Sequence, residues 1–141
     1  MLACMNTPCL CTDLRQATRR LTELYDAALA SLGINIAQYF LLRTIGGYQP
    51  VSLTELGRHA ELDRSTVGRN VKVLERMELV GTGREGSDLR EALVSLTPAG
   101  KALLRKATPA WERCQQGVEA RLGAGNVEAL RTALVRIDAT L

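Results

Sequence analysis

The middle third of the chain constrains the fold more than any other part. Ser52 and Glu55 stand three residues apart, which is the spacing of a helix-capping box, so a short helix is expected over 52–59. Apolar residues at helical spacing predict a second helix over 65–78, and Asp63 can cap it. Only a few residues separate the two helices, so they must meet at a tight turn.

A hairpin follows these two helices. Residues 79–82 and 91–96 carry the apolar residues of two short strands, and the second alternates apolar and polar positions. The intervening loop, 83–90, contains glycine and serine, which favour turns. Two short helices with a hairpin behind them form the outline of a winged helix-turn-helix, and that outline favours DNA binding.

Helices are also predicted on both sides of this unit, because apolar residues recur there at helical spacing. Glycines are expected to end the first three, and Pro109 is expected to kink or split the third. Their expected spans are 12–32 with Thr12 or Asp13 as cap, 36–45 ending at Gly46-Gly47, 98–122, and 126–141. The fold class is therefore mainly α with a small β-wing.

Bulk composition is ordinary for a small globular protein. The chain has 141 residues, enough for one domain, and a formal net charge of +3. No apolar run approaches the ~20 residues of a membrane span and no signal peptide is visible, so a cytoplasmic protein without membrane association is expected. With one histidine and no triad, phosphate loop or paired carboxylates, we expect no enzyme activity and no cofactor. A cysteine peroxidase is the least implausible enzyme.

Polar side chains cluster where a recognition helix would meet the major groove. Ser65 or Thr66 could also cap the second helix in place of Asp63. The hydroxyl, guanidinium and amide groups at its start are the types that pair with phosphates and base edges. A cation at the wing tip suits the electronegative minor groove, and Asp88 can hold Arg90 there by a charge-assisted bond. The expected DNA contacts are Arg64, Ser65, Thr66, Arg69, Asn70 and Lys72 in the helix, with Arg84, Asp88 and Arg90 in the wing. Two alternatives remain, an ordinary solvated face and a winged-helix module for protein contacts.

Two motifs make the outline more specific. Asp88-Leu89-Arg90, followed by Leu96-Thr97-Pro98-Ala99-Gly100, resembles the wing of the multiple-antibiotic-resistance regulator (MarR) family, and 62–80 resembles that family's recognition helix. The resemblance implies a homodimer that binds a palindromic operator on double-stranded DNA, usually to repress. It also implies a winged helix-turn-helix lobe over 34–97 and dimerisation helices over 1–33 and 98–141. Long apolar faces at both chain ends agree with such a dimer.

The cysteines suggest what such a regulator senses. A thiol at a helix N-terminus has a lowered pKa and is reactive. Leu10-Cys11 with Tyr25 and Tyr39 resembles the sensing region of the organic-hydroperoxide regulators within the family, although Ile36 stands where those proteins carry a second tyrosine. The resemblance implies release of DNA when the thiol is oxidised.

Three other interpretations of the cysteines stay open. Cys9 and Cys11, with Cys4 or Cys114, could hold a soft inducer such as arsenite, antimonite, copper or zinc. Cys9 or Cys11 could form a disulfide with Cys114, within or between subunits. All four could instead pack as small apolar residues while a small phenolic molecule acts as the inducer.

Overall fold

The computed structural model describes residues 7–83 and 91–140 and confirms the mainly helical fold class with a small β-wing. In that part of the chain a 3₁₀ turn, Ala30–Leu32, extends the first helix and ends at Gly33, as expected. The helices are α1 Leu10–Leu29, α2 Ile36–Tyr48, α3 Leu53–Ala60, α4 Arg64–Arg76, α5 Pro98–Leu122 and α6 Ala124–Thr140, and the strands are β1 Val51–Ser52, β2 Val80–Gly83 and β3 Leu93–Leu96.

The helix-turn-helix forms where the sequence places it. Ser52 caps α3 by accepting the Glu55 N–H at 3.2 Å, and Asp63, rather than Ser65 or Thr66, caps α4 by accepting the Thr66 N–H at 2.8 Å. The turn between them is tight at Gly57, where an added Cβ would lie 2.8 Å from the Leu62 carbonyl oxygen. A glycine at this position therefore allows the two helices to meet closely.

The sheet has three antiparallel strands in the order β1-β3-β2. The sequence predicted β2 and β3 but not β1, because two residues are too few to show an alternating pattern. Val51 pairs with Val94, and Val80 pairs with Leu96. The predicted wing therefore starts from a strand pair anchored on the lobe, and residues 84–90, predicted to contain its tip, lie outside the described residues.

The expected end of the second helix is wrong. The second helix does not stop at Gly46-Gly47 but continues to Tyr48. A Cβ at Gly46 would lie 3.2 Å from Leu96 and 3.3 Å from Leu104, so the missing side chain lets α2 pack closely against β3 and α5. Close tertiary packing thus outweighs the low helix propensity of glycine.

Pro109 does not split the long helix, which was one of the two outcomes expected for it. Pro109 lies inside α5, which runs unbroken from Pro98 to Leu122. Proline removes one hydrogen bond from a helix of 25 residues, and packing on both sides keeps the helix continuous. At the other boundaries α1 begins at Leu10, before the expected Thr12, and α6 begins at Ala124 rather than Asn126.

The hydrophobic core belongs to the middle of the chain. Its fully buried side chains include Tyr39, Leu42 and Ile45 of α2, together with apolar residues of α3, α4 and β3. By contrast, α1 contributes only Leu29 to the buried set, and no described side chain of α6 is buried. No single described helix is long and apolar enough to span a bilayer; α1 with its 3₁₀ extension and α2 meet that test only together, across a bend of 71°.

Candidate nucleic-acid interface

One face of α4 is exposed, polar and basic. Ser65, Arg69, Lys72 and Arg76 recur at helical spacing and are exposed, whereas Val67, Val71 and Leu74 are buried on the opposite face. Arg76 extends this face by one turn beyond Lys72, the last residue of the predicted contact set. Its spacing from Ser65, Arg69 and Lys72 was the signal that could have added it to that set.

The start of this face is held by Asp63. Its Oδ1 accepts the Ser65 hydroxyl at 2.6 Å and the Thr66 N–H at 2.8 Å, and its Oδ2 accepts the Thr66 hydroxyl at 2.9 Å. These three hydrogen bonds stabilise the carboxylate and lower the pKa of Asp63 from 3.8 to about 2. Arg69 Nη2 in turn donates to Thr66 Oγ1 at 3.3 Å. The four side chains therefore form one preorganised polar cluster.

Arg64 and Asn70 lie on the flanks of α4 rather than on this face. Asn70 is half-buried and, together with residues of α2, lines a cleft of about 110 Å³. Arg64 lies on the same side of the helix as Glu75, which accepts the Thr82 hydroxyl of β2 at 2.8 Å. The six predicted helix contacts thus divide into an outward face and two flanks.

The described part of the wing is attached firmly to the lobe. Gly83, the last residue of β2, pairs with Leu93 of β3, and the Thr97 hydroxyl donates to the Glu78 carbonyl at 2.7 Å. Arg84, Asp88 and Arg90, the predicted wing contacts, fall outside the described residues.

An exposed aromatic pair lies at the ends of α2 and α3. The rings of Tyr48 and His59 are parallel within 9° and their centroids are 3.6 Å apart. The side chain of His59 is exposed. Its stacking partner could not be found from sequence, because the pair joins two different helices.

Cys9 and Cys11 are both exposed at the start of α1. Cys9 is the N-cap residue, a position that the sequence did not assign to it. The thiol makes no capping hydrogen bond, but the nearby Thr12 N–H, Thr12 hydroxyl and Cys11 N–H favour the thiolate and lower the pKa of Cys9. Cys11 instead lines an open apolar groove of about 710 Å³ between the start of α1 and Ile137 of α6.

The two tyrosines assigned to sensing lie in different surroundings. The Tyr25 hydroxyl donates to Gln115 of α5, and burial, followed by the charges of Cys114 and Glu119, raises the pKa of Tyr25. Tyr39 is fully buried, with its hydroxyl 3.4 Å from Thr108 Oγ1 and its ring stacked on Trp111. Within one subunit Tyr25 therefore lies with Cys114 rather than with Cys11.

The described residues contain no ready-made site for metal ligation. Among residues 7–83 and 91–140, no group of three or more histidine, cysteine, aspartate or glutamate side chains is placed to hold a metal ion. Cys9, Cys11 and Cys114 are all free thiols. A soft-metal site built from these cysteines would need a further ligand from outside the described residues of this chain.

Fold and interface together define a winged helix-turn-helix transcriptional regulator that binds DNA. The model of the MarR family matches residues 32–91. The organic hydroperoxide resistance transcriptional regulator of Bacillus subtilis is 31% identical over 98 residues, which are 70% of this chain and 67% of that protein. The chain belongs to the MarR family, whose members are transcriptional regulators and not enzymes.

Solved structures agree with this assignment. A probable transcriptional regulator from Pseudomonas aeruginosa superposes with a TM-score of 0.84 at 30% identity, over 91% of this chain and 96% of that one. The M. tuberculosis transcriptional regulator MosR in complex with DNA superposes with a TM-score of 0.77 at 30% identity, over 95% of this chain and all of that one. Both similarities extend over the helices at the two ends of the chain as well as the lobe.

Proposed function

We propose that the protein is a homodimeric repressor that binds a palindromic operator through α4 and the wing and is released when an N-terminal thiol is oxidised. The observation that carries the proposal is the exposed face of α4, where a preorganised polar cluster is continuous with Arg69, Lys72 and Arg76. Such a face, at the second helix of a helix-turn-helix, is what reads a major groove.

The dimer is supported by apolar surface that one subunit leaves uncovered. Leu130, Leu134 and Ile137 recur on one face of α6 and are each 41% exposed. Leu10, at the start of α1, is 73% exposed and borders the groove that ends at Ile137. Burial of such side chains favours association by about 25 cal/mol per Å² of apolar surface, so a second copy of these helices is the natural cover.

The operator contacts follow from the position of each side chain. Ser65 and Arg69 face outward at the start of α4 with the half-buried Thr66 beside them, where base edges are within reach, and Lys72 is better placed for phosphates. Arg64 and Asn70, on the flanks, would reach the sides of the groove. We assign Arg90, held by Asp88, to the minor groove and Arg84 to phosphate.

Release through a thiol is supported by the environment of Cys9. A lowered pKa increases the thiolate fraction at neutral pH, and the thiolate is the form that a peroxide oxidises to sulfenic acid. Cys11 stands two residues away beside the apolar groove. Since the described residues of one subunit hold no metal-binding group, an oxidant fits better than arsenite or zinc as the inducer.

The test is a binding titration on the protein's own upstream DNA, followed by fluorescence anisotropy. Reduced protein should bind this duplex in preference to a scrambled one, and affinity for both should fall steeply with salt. Cumene hydroperoxide should release the DNA, and Cys9→Ser or Cys11→Ser, but not Cys114→Ser, should block that release. If arsenite or zinc releases the DNA and peroxides do not, the thiols bind a soft ion. If no agent acts and all three variants behave like the wild type, the thiol proposal is wrong and a non-thiol ligand replaces it.

A further inference from the structure

The hydrogen bonds of Asp63 determine what the start of α4 can offer to a base. An ionised carboxylate has no proton, so the hydroxyls of Ser65, at 2.6 Å, and Thr66, at 2.9 Å, must be the donors. The pKa of Asp63 is lowered to about 2, so the group is ionised throughout the physiological range. Each hydroxyl proton is therefore already engaged inside the protein.

What remains on both hydroxyls is acceptor capacity. A hydroxyl that has donated its proton presents two lone pairs, and at Thr66 one of them accepts Arg69 Nη2 at 3.3 Å. Ser65, which is exposed, therefore points only lone pairs outward. Arg69 keeps the donors of its guanidinium that do not reach Thr66. The cluster thus carries acceptors at one end and donors at the other.

In a major groove this pattern discriminates between bases. The amino groups of adenine and cytosine are the donors there, whereas guanine and thymine present carbonyl oxygens. A lone pair of Ser65 accepts from an amino group but repels a carbonyl oxygen. For the same reason Ser65, held in this way, cannot donate to a phosphate.

We propose that Asp63 is a specificity-positioning residue, which holds the protons of Ser65 and Thr66 so that the start of α4 accepts from adenine or cytosine and disfavours guanine or thymine. The inference rests on the proposed placement of α4 in the major groove. Asp63 also brings a negative charge close to the DNA, which lowers affinity for every sequence. Specificity is gained at the expense of non-specific binding.

Asp63→Asn isolates this role, because asparagine caps helices about as well as aspartate. Its Oδ1 can still accept the Ser65 hydroxyl and the Thr66 N–H, but Oδ2 is replaced by an amide group that donates, so the Thr66 hydroxyl must turn its proton outward. The experiment selects binding sites from a randomised DNA duplex library with wild type, Asp63→Asn, Arg69→Ala and Glu112→Gln. Glu112→Gln is the matched control, since it removes the same charge at an exposed position on α5.

Wild type should select adenine or cytosine, rather than guanine or thymine, at one position on one strand of each half-site, and Asp63→Asn should weaken that preference because the Thr66 proton becomes available to a carbonyl oxygen. The ratio of affinity for the selected duplex to affinity for a scrambled one should fall about tenfold in Asp63→Asn, with the scrambled duplex bound more tightly. Glu112→Gln should keep the wild-type ratio. Unchanged base preference in a folded Asp63→Asn protein would overturn the inference and leave Asp63 a helix cap alone.

A double variant and Arg69→Ala separate the role of Asp63 from protein folding and from groove binding by α4. If Asp63→Asn fails to fold, the double variant Ser65→Ala, Thr66→Val keeps the carboxylate but removes both hydroxyls, and it should lose the same base preference. Retention of that preference would again overturn the inference. If Arg69→Ala alters the selected sites and Asp63→Asn does not, only the role of Asp63 fails. If neither variant alters them, α4 does not read the groove and the proposed function fails.

Discussion

Asp63 and Cys9 occupy the same structural position at two different helices, and only one of them was predictable. Aspartate is a preferred N-cap residue, so the sequence identified Asp63 before the structure did. Cysteine is not, so the pattern placed the start of α1 at Thr12 or Asp13 rather than after Cys9. The lowered pKa of Cys9 follows from backbone N–H groups, whose direction is set by the helix and not by residue type.

The thiol of Cys9 should ionise at lower pH in the folded protein than in the unfolded one. We expect its alkylation by iodoacetamide, followed by mass spectrometry, to have a midpoint below the ordinary value of 9.0. Thr12→Val, which removes the hydroxyl that helps to lower this pKa, should move the midpoint upward. The same chain in concentrated urea is the control, and equal midpoints with and without urea would contradict the account.

Asp63 should make stability depend on pH in the acid range. Because its folded pKa is about 2 and its ordinary value is 3.8, the carboxylate contributes its full stabilisation above about pH 4 and loses it as the pH falls toward 2. The difference in urea midpoint between wild type and Asp63→Asn should therefore shrink over that interval. The other carboxylates titrate equally in both proteins, so their effects cancel in this difference. A difference in urea midpoint that stays constant between pH 4 and pH 2 would contradict the hydrogen bonding of the Asp63 carboxylate.

At the scale of helices and strands, periodicity predicted where elements lie but not how closely they pack. The caps at Ser52 and Asp63 and the breaks at Gly33 and Gly123 were legible. The continuation of α2 through Gly46 was not, because it depends on side chains of β3 and α5 that are distant in sequence. The same limit hid β1, whose two residues exist as a strand only through pairing with β3.

Gly100, where α5 crosses Leu79, should tolerate no side chain. An added Cβ would lie 2.0 Å from the Leu79 carbonyl oxygen, which also accepts the Thr97 N–H at 3.1 Å. We expect Gly100→Ala to lower the free energy of unfolding by about 1–3 kcal/mol or more. Gly47→Ala is the matched control in α2, since a Cβ there meets nothing within 4 Å, and it should stabilise by about 0.5–1 kcal/mol. Chemical denaturation measures both, and equal effects would contradict the packing described.

At the scale of the whole molecule, two parts of the chain differ in how far their apolar side chains are buried. The lobe between α2 and β3 has a closed core, whereas α6 has no buried side chain among those described. Apolar faces on the terminal helices were visible in the sequence, but which of them a single subunit covers was not. The structure leaves Leu130, Leu134 and Ile137 partly exposed, and this supports the proposed dimer.

Leu134→Arg should therefore convert the protein to a monomer. A charge in the centre of the α6 apolar face cannot be buried against a second copy without a large desolvation cost. Light scattering coupled to size-exclusion chromatography should report half the wild-type mass, and operator affinity should fall with it. Thr132→Arg, on the opposite face of α6, is the control and should leave the mass unchanged. A dimeric Leu134→Arg protein would contradict the proposed interface.

The central claim is that two copies of α4 lie in successive major grooves of one DNA site. Methylation protection of guanine N7 on the protein's own upstream DNA tests it most directly, because that atom lies on the floor of the major groove. The account predicts two symmetric protected patches about one helical turn apart, both lost in Arg69→Ala. A single patch, or two patches that survive Arg69→Ala, would contradict it.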